Sequence, residues 1–390
     1  MKCAKQKKQS WMCFKSIVHK HPICIKGIFF LFLSALMLVL SSCQSHNHLD
    51  EIENELLDED ETIDDQTNEI YELPIENIDK PIERTGMPSP ISGIFYDQEA
   101  SFPRPMAIVL DNHPASRWQA GINQAEIVYE IEVEFPYTRY LAIYVSESPQ
   151  QIGPVRSARP YFLDYALEFD AVFVHVGGSN EALRNIRDYQ MASISAMTSN
   201  EFWRFYETGK TAPNNMYTAM ENLRSAQSYM QFREEGNYEP WLFHEDPTAL
   251  IEEMSQAVFN VTITYNQHYN VIYDYDEEVL AFKRYVNNQL QIDEHDETAV
   301  HAMNILLIKS SKTVLDHEGR LAITTVGSGT GYYITMGRYQ KISWEKEGLR
   351  DKTYFYDEKG EALIINPGQT WIQVVTQKTE VLMEETKNDR

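Results

Sequence analysis

Beyond residue 43 the 390-residue chain contains no cysteine, its four being Cys3, Cys13, Cys24 and Cys43. A folded body made from the later residues therefore has no disulfide, no thiolate metal ligand and no cysteine nucleophile. Basic residues are also scarce, 34 Lys and Arg against 58 Asp and Glu. Seven of the lysines and none of the acids precede Cys43, so a chain cut there keeps 27 basic residues and a net charge near −31. Nucleic acid is a poor partner for such a surface. Long apolar runs are missing too. The run at 28–40 has thirteen residues, short of the roughly 20 that a helix needs to cross a bilayer. No internal repeat of fixed period is present.

What is present begins with that run. Lysines 2, 5, 7, 8, 15, 20 and 26 precede it, and Leu40-Ser41-Ser42-Cys43 follows it. A basic stretch, an apolar stretch and small residues before a cut are the order of a secretory signal. Leu40-Ser41-Ser42-Cys43 resembles the lipobox of bacterial lipoproteins. The resemblance implies cleavage before Cys43, with residues 1–42 as signal peptide, and thioether attachment of a diacylglyceryl group to Cys43. Two acyl chains anchor stably where one is marginal, which places the protein on the outer face of the cell membrane.

Residues 44–83 hold fifteen acids, one lysine and only scattered aliphatics, none in a run longer than Leu56-Leu57. They cannot bury enough apolar surface to offset their ordering entropy, so 43–90 is expected to be an acidic flexible tether. The length that follows exceeds what one hydrophobic core usually serves, so two domains are expected, 91–248 and 249–384, with a short tail at 385–390. In the first, strand-like runs ("MAIVLDN", "EIVYEIEVE", "YTRYLAIYVSE", "AVFVHVGG") alternate with helical ones ("WQAGINQA", "ARPYFLDYALEFD", "NEALRNIRDY"). The second reads as β-rich runs broken by turns such as 357–360 and 366–368. The fold class is therefore α+β: a mixed α/β N-terminal domain followed by a mainly antiparallel, β-rich C-terminal domain.

Polar residues concentrate where the first-domain strands end, the usual place for sites in such sheets. Asp111, Asn112 and His113 close one strand. Glu130, Glu132 and Glu134 alternate along another, Thr138 and Arg139 open the next, and "IGPVRSARP" supplies Arg156, Ser157 and Arg159. Gly153-Pro154 forces a turn there, Ser157 can cap the helix beginning at "ARPYF", and Pro160 suits its first turn. Arginines beside a positive helix start suit an anion. Asn112, Arg139, Arg156, Ser157 and Arg159 are therefore the candidate ligand-binding residues. The competing reading pairs these arginines with the chain's own Glu130, Glu134 or Asp164.

For chemistry the candidates are Asp111, Glu130 and Glu134 as acid or base, with His175 assisting. His175 on a strand reads equally as a core histidine, and Ser179 in "HVGGSNEAL" as an N-cap, since G-x-S-x-G is absent. His46 and His48 lie in the tether, and His295, His301 and His317 are scattered among acids, so no metal or other cofactor is expected. "TVGSGTGYY" has a phosphate loop's glycines without its lysine or following helix and reads as a turn between strands.

"RPMAIVLDNH", "INQAEIVYEIEVE", "YTRYLAIY", "IGPVRSARPYF" and "HVGGS", followed by "ISWEK", "YFYDEKG" and "NPGQTWIQV", together resemble the YerB family of bacterial lipoproteins, whose two domains carry domain-of-unknown-function labels. The chain departs from that pattern at Phe135-Pro136, where Gly-Gly is expected, and at Pro213-Asn214-Asn215, where Pro-His-Asn is expected. The second departure removes a histidine that could serve as acid, base or ligand. The resemblance implies architecture and no established reaction. The expectation is a lipid-anchored binding or accessory protein of the cell envelope, recognising an anionic or glycan-like ligand such as a wall polymer, or a neighbouring envelope protein. The alternatives are a cell-wall polymer hydrolase and a protein-docking module.

Overall fold

The structure, a computed structural model, describes residues 85–97 and 101–387. The expected signal peptide, Cys43 and most of the expected tether lie outside the described residues. Among the described residues no helix is long and apolar enough to cross a membrane.

An 11-stranded sheet forms the centre. Across it run, in spatial order, Gln256–Ala257, Arg338–Lys346, Gly327–Thr335, Asn304–Lys309, Thr370–Val375, Ile127–Glu132, Thr138–Tyr144, Met106–Asp111, Val172–His175 and Ser193–Ser195, with Tyr354–Tyr356 beside Arg338–Lys346. The boundary expected near residue 248 is therefore not a boundary between sheets. Thr370–Val375 pairs in parallel with Ile127–Glu132, Ile127 opposite Thr370, so the two halves of the chain share one ladder. That strand is also parallel to Asn304–Lys309, an exception in a second half whose other pairings are antiparallel. The first half does not stand as a separate α/β body, and the described chain is mostly strand with few helices.

Side chains alternate between the faces of the sheet. One face carries Val109, Tyr129 and Leu141 into a core with Phe162 and Ala166 of the helix Pro160–Glu168. The other carries Leu110, Val128 and Tyr140 against Val261, Tyr273 and Phe282 of a second, 6-stranded sheet, and against Leu223 of the helix Met220–Tyr229. Because both faces are covered, all six residues of Met106–Asp111 are buried, and the strand reads as a continuous apolar run up to its last residue.

Local expectations fare unevenly. The helices Pro160–Glu168 and Asn180–Asp188 form where their apolar spacing places them. "WQAGINQA" does not make an α-helix: Gly121 takes φ +75° and only a short 3-10 turn, Ile122–Gln124, follows. "TVGSGTGYY" is not a turn but supplies most of Gly327–Thr335. Its Gly329 is needed because a Cβ there would lie 2.5 Å from the indole nitrogen of Trp344 on the neighbouring strand. Residues 85–90, expected to end the tether, belong to the folded body. Ser89 and Ser92 donate hydrogen bonds to buried Glu126, which also accepts from the Val145 and Ser146 amides at 3.1 and 2.7 Å.

Candidate functional site

Asp111 and Arg139 face each other across the ladder between Met106–Asp111 and Thr138–Tyr144. The cis Gly153-Pro154 turn brings the next segment alongside: the Asp111 amide donates to Pro154 O at 2.8 Å and the Arg156 amide to Val109 O at 2.7 Å. Arg156 Nε thus comes to 3.2 Å from Asp111 Oδ2. Arg139 Nη1 donates to the Ser157 carbonyl at 2.9 Å, and its Nη2 lies 4.0 Å from Glu134 Oε2. Arg159 grips Glu134 with both prongs of its fork, Nε to Oε1 at 2.6 Å and Nη2 to Oε2 at 2.8 Å. Three guanidiniums and two carboxylates therefore form one chain of charge, with one positive charge in excess.

Two helix starts meet at this chain. Arg159, not Ser157, is the N-cap of Pro160–Glu168, and its side chain leaves the cap position to reach Glu134. Ser179 caps Asn180–Asp188, accepting from the Ala182 amide at 3.2 Å as expected. A parallel bridge between Ala158 and Gly178 holds the two starts together. A cleft of about 350 Å3 opens over them, lined by Glu134, Ser157, Arg159, Ser179, Asn180 and Arg320, among others. Arg320 was not foreseen from the sequence. It comes from the second half of the chain, where Asp316 holds it at 2.6 Å, and no local pattern announces its position.

Electrostatics follow from burial. Burial pushes the Glu134 carboxyl up, but the hydrogen bonds and charge of Arg159 outweigh this and hold it below its ordinary value. Glu134 is then ionised at neutral pH, which suits an arginine clamp better than a proton donor. Burial and the Arg159 charge push the Arg139 guanidinium down to about 10, against the pull of Asp111 and Glu134, so it stays cationic at neutral pH. Arg139 Nε, Arg156 Nε and Asp111 Oδ2 are buried without an aligned hydrogen-bond partner. Arg156 Nε and Asp111 Oδ2 still pair by charge at 3.2 Å, whereas a buried donor such as Arg139 Nε left without a partner is uncommon in a folded interior.

Other expected site residues lie elsewhere. Glu130 has no exposure and meets Arg284 of the 6-stranded sheet, Thr138 Oγ1 at 2.7 Å and the Tyr269 hydroxyl. Asn112 is buried beside it, donating to Thr138 Oγ1 at 2.7 Å and to the Tyr269 hydroxyl at 2.6 Å. Both belong to the interface between the two sheets rather than to the open cleft. His175 uses both ring nitrogens, with Gly177 O at 2.6 Å and Ser193 Oγ at 3.1 Å, and stacks on Phe173. Burial lowers its pKa against the Gly177 hydrogen bond. Asp111, Glu130 and Glu134 thus each face a different arginine, and none is paired with His175. Among the described residues no group of three or more His, Cys, Asp or Glu could hold a metal ion.

Comparison with known proteins agrees with this architecture. Residues 91–233 match the family described as "Protein of unknown function (DUF3048) N-terminal domain", and residues 261–372 match its C-terminal counterpart. The chain is 29% identical over 292 residues to the Bacillus subtilis (strain 168) protein named lipoprotein YerB, across 74% of this chain and 86% of the relative. The crystal structure of the YerB protein from Bacillus subtilis aligns with a TM-score of 0.67 at 28% identity, covering 76% of this chain and 99% of that one.

Proposed function

Because the chain belongs to the YerB-type family, with its two DUF3048 domains of unknown function, we propose that it is a lipid-anchored envelope protein that binds an anionic ligand over Arg139, Arg156 and Arg159. The lipoprotein name of the Bacillus subtilis relative supports anchoring through Cys43. The observation that carries the binding reading is the buried Arg139 Nε, which has no hydrogen-bond partner, beside the Arg156–Asp111 ion pair, whose buried Nε and Oδ2 lie 3.2 Å apart out of hydrogen-bond alignment. They sit in a charge chain with a positive surplus, beside two helix starts whose dipoles favour negative charge. The chain as a whole is acidic, 34 Lys and Arg against 58 Asp and Glu, so a cluster of three arginines stands out as a place for an anion. Ser157, through its carbonyl, and Glu134 hold the guanidiniums in place. A wall polymer bearing phosphate or carboxylate, within reach of the membrane, is the ligand class that fits.

The test uses the full chain in detergent and purified anionic wall polymer, with binding followed by calorimetry. Arg156→Ala together with Arg159→Ala should weaken binding by about tenfold or more, which is about 1.4 kcal/mol, while circular dichroism stays unchanged. Equal binding by the variant and the parent rejects the reading.

A further inference from the structure

We propose that the outward face of the strands Gly327–Thr335, Arg338–Lys346 and Tyr354–Tyr356 is a second binding groove, and that its occupant is an uncharged polysaccharide chain. Cross-strand register sets Tyr332 beside Lys341, Ser343 beside Tyr356 and Glu345 beside Tyr354. Strand alternation puts these residues on the face opposite buried Ile342 and Trp344. Two clefts occupy this region. One, of about 410 Å3, is lined by Lys309, Tyr332, Lys341 and Ser343 among others. The other, of about 690 Å3, is lined by Tyr238, Glu345, Tyr354 and Tyr356 among others. Ser343 lines the first and its ladder partner Tyr356 lines the second.

The chemistry of the lining selects the occupant. The Tyr354 and Tyr356 rings are stacked 21° from parallel with centroids 6.5 Å apart, and both are half-buried. Tyr332, two strands away, gives a further half-buried ring, with the Lys309 ammonium 5.4 Å from its centroid. Two strand spacings and an offset of two residues along the ladder separate Tyr332 from Tyr356 by roughly 12 Å, so a ligand touching both is a short chain rather than a single ring. Aromatic faces flanked by hydroxyl, carboxylate and ammonium groups match sugars, which present C–H faces and hydroxyl edges together.

A peptide strand has little to gain on this face, since the backbone of Arg338–Lys346 is already engaged in ladders on both sides. A polyanion is disfavoured too. In the smaller cleft Lys341 is answered by Glu358 at 3.6 Å, and in the larger one acids outnumber bases. The groove therefore differs in ligand charge from the arginine cleft and stands or falls independently of it.

The full chain in detergent, titrated with the neutral β-1,4-linked tetramers of N-acetylglucosamine and of glucose, should show saturable binding of at least one at millimolar concentration or below. Tyr332→Ala and Tyr356→Ala should each weaken it by about tenfold. Ser343→Arg, which keeps every ring and fills space in the first cleft beside Tyr356, should do the same. Tyr229→Ala, at a ring 89% exposed on the helix Met220–Tyr229, should leave it unchanged. Binding of neither tetramer overturns the proposal. So does binding that survives Ser343→Arg, or displacement of the tetramer by a sugar-free wall peptide.

Discussion

Arg284 and Glu130, 154 residues apart in the chain, form an ion pair in which neither side chain has any solvent exposure. The guanidinium lies 4.2 Å from the Trp371 ring centroid, and its remaining donors reach the Tyr273 and Tyr140 hydroxyls, at 3.2 and 3.3 Å, and Gln291. Glu130 is on the central sheet and Arg284 on the 6-stranded one, so the pair sets how one sheet registers on the other.

That arrangement predicts strong coupling. Arg284→Met strands a buried carboxylate and should cost about 3–5 kcal/mol, whereas pairing it with Glu130→Leu should recover much of the loss. Urea denaturation of the four proteins of the cycle measures this. Additive losses would mean that the two residues act separately.

Glu134 competes with any incoming anion for Arg159, so Glu134→Gln should raise affinity for an anionic wall polymer by several-fold while lowering stability by about 1 kcal/mol. Calorimetry and denaturation on the same preparation separate the two effects. Weaker binding would show that Glu134 positions the arginine more than it blocks it.

His175 has a lowered pKa, through burial. The unfolded chain therefore takes up its proton first, near pH 6.5, and this residue's contribution to stability is present above that pH. It is lost as pH falls from there through the lower folded value. His175→Gln should remove that part of the slope of stability against pH below 6.5, read from denaturation midpoints at successive pH values. An unchanged slope would place the titration on another group.

Cys43→Ala should abolish incorporation of labelled palmitate and move the protein from the membrane fraction to the medium. Retention in the membrane without label would require another anchor.

Part of this was legible in the sequence. The strand-forming runs, the helix opening at Pro160 and the Ser179 cap all rest on interactions within a few residues, which periodicity and cap chemistry report directly. The arginine cluster was legible as a set of residue types at strand ends. Its pairings were not, since Arg159 meets Glu134 across 25 positions and Asp111 meets Arg156 only because the turn at Pro154 folds back. Glu130 looked like one more site carboxylate, because alternation tells which residues share a face and not which sheet covers it.

The sequence by itself determined a lysine-rich and then apolar start ending at a lipobox-like Cys43, an acidic composition with no later cysteine, and most of the short segments that are strand or helix, all properties set by composition and near neighbours. Tertiary structure alone decided that Thr370–Val375 lies beside Ile127–Glu132, that Arg320 reaches a cleft built by the first half, and that Arg284 neutralises Glu130. Each of those depends on contacts between distant segments, and strand pairing through backbone groups common to all residues leaves little mark on the local sequence.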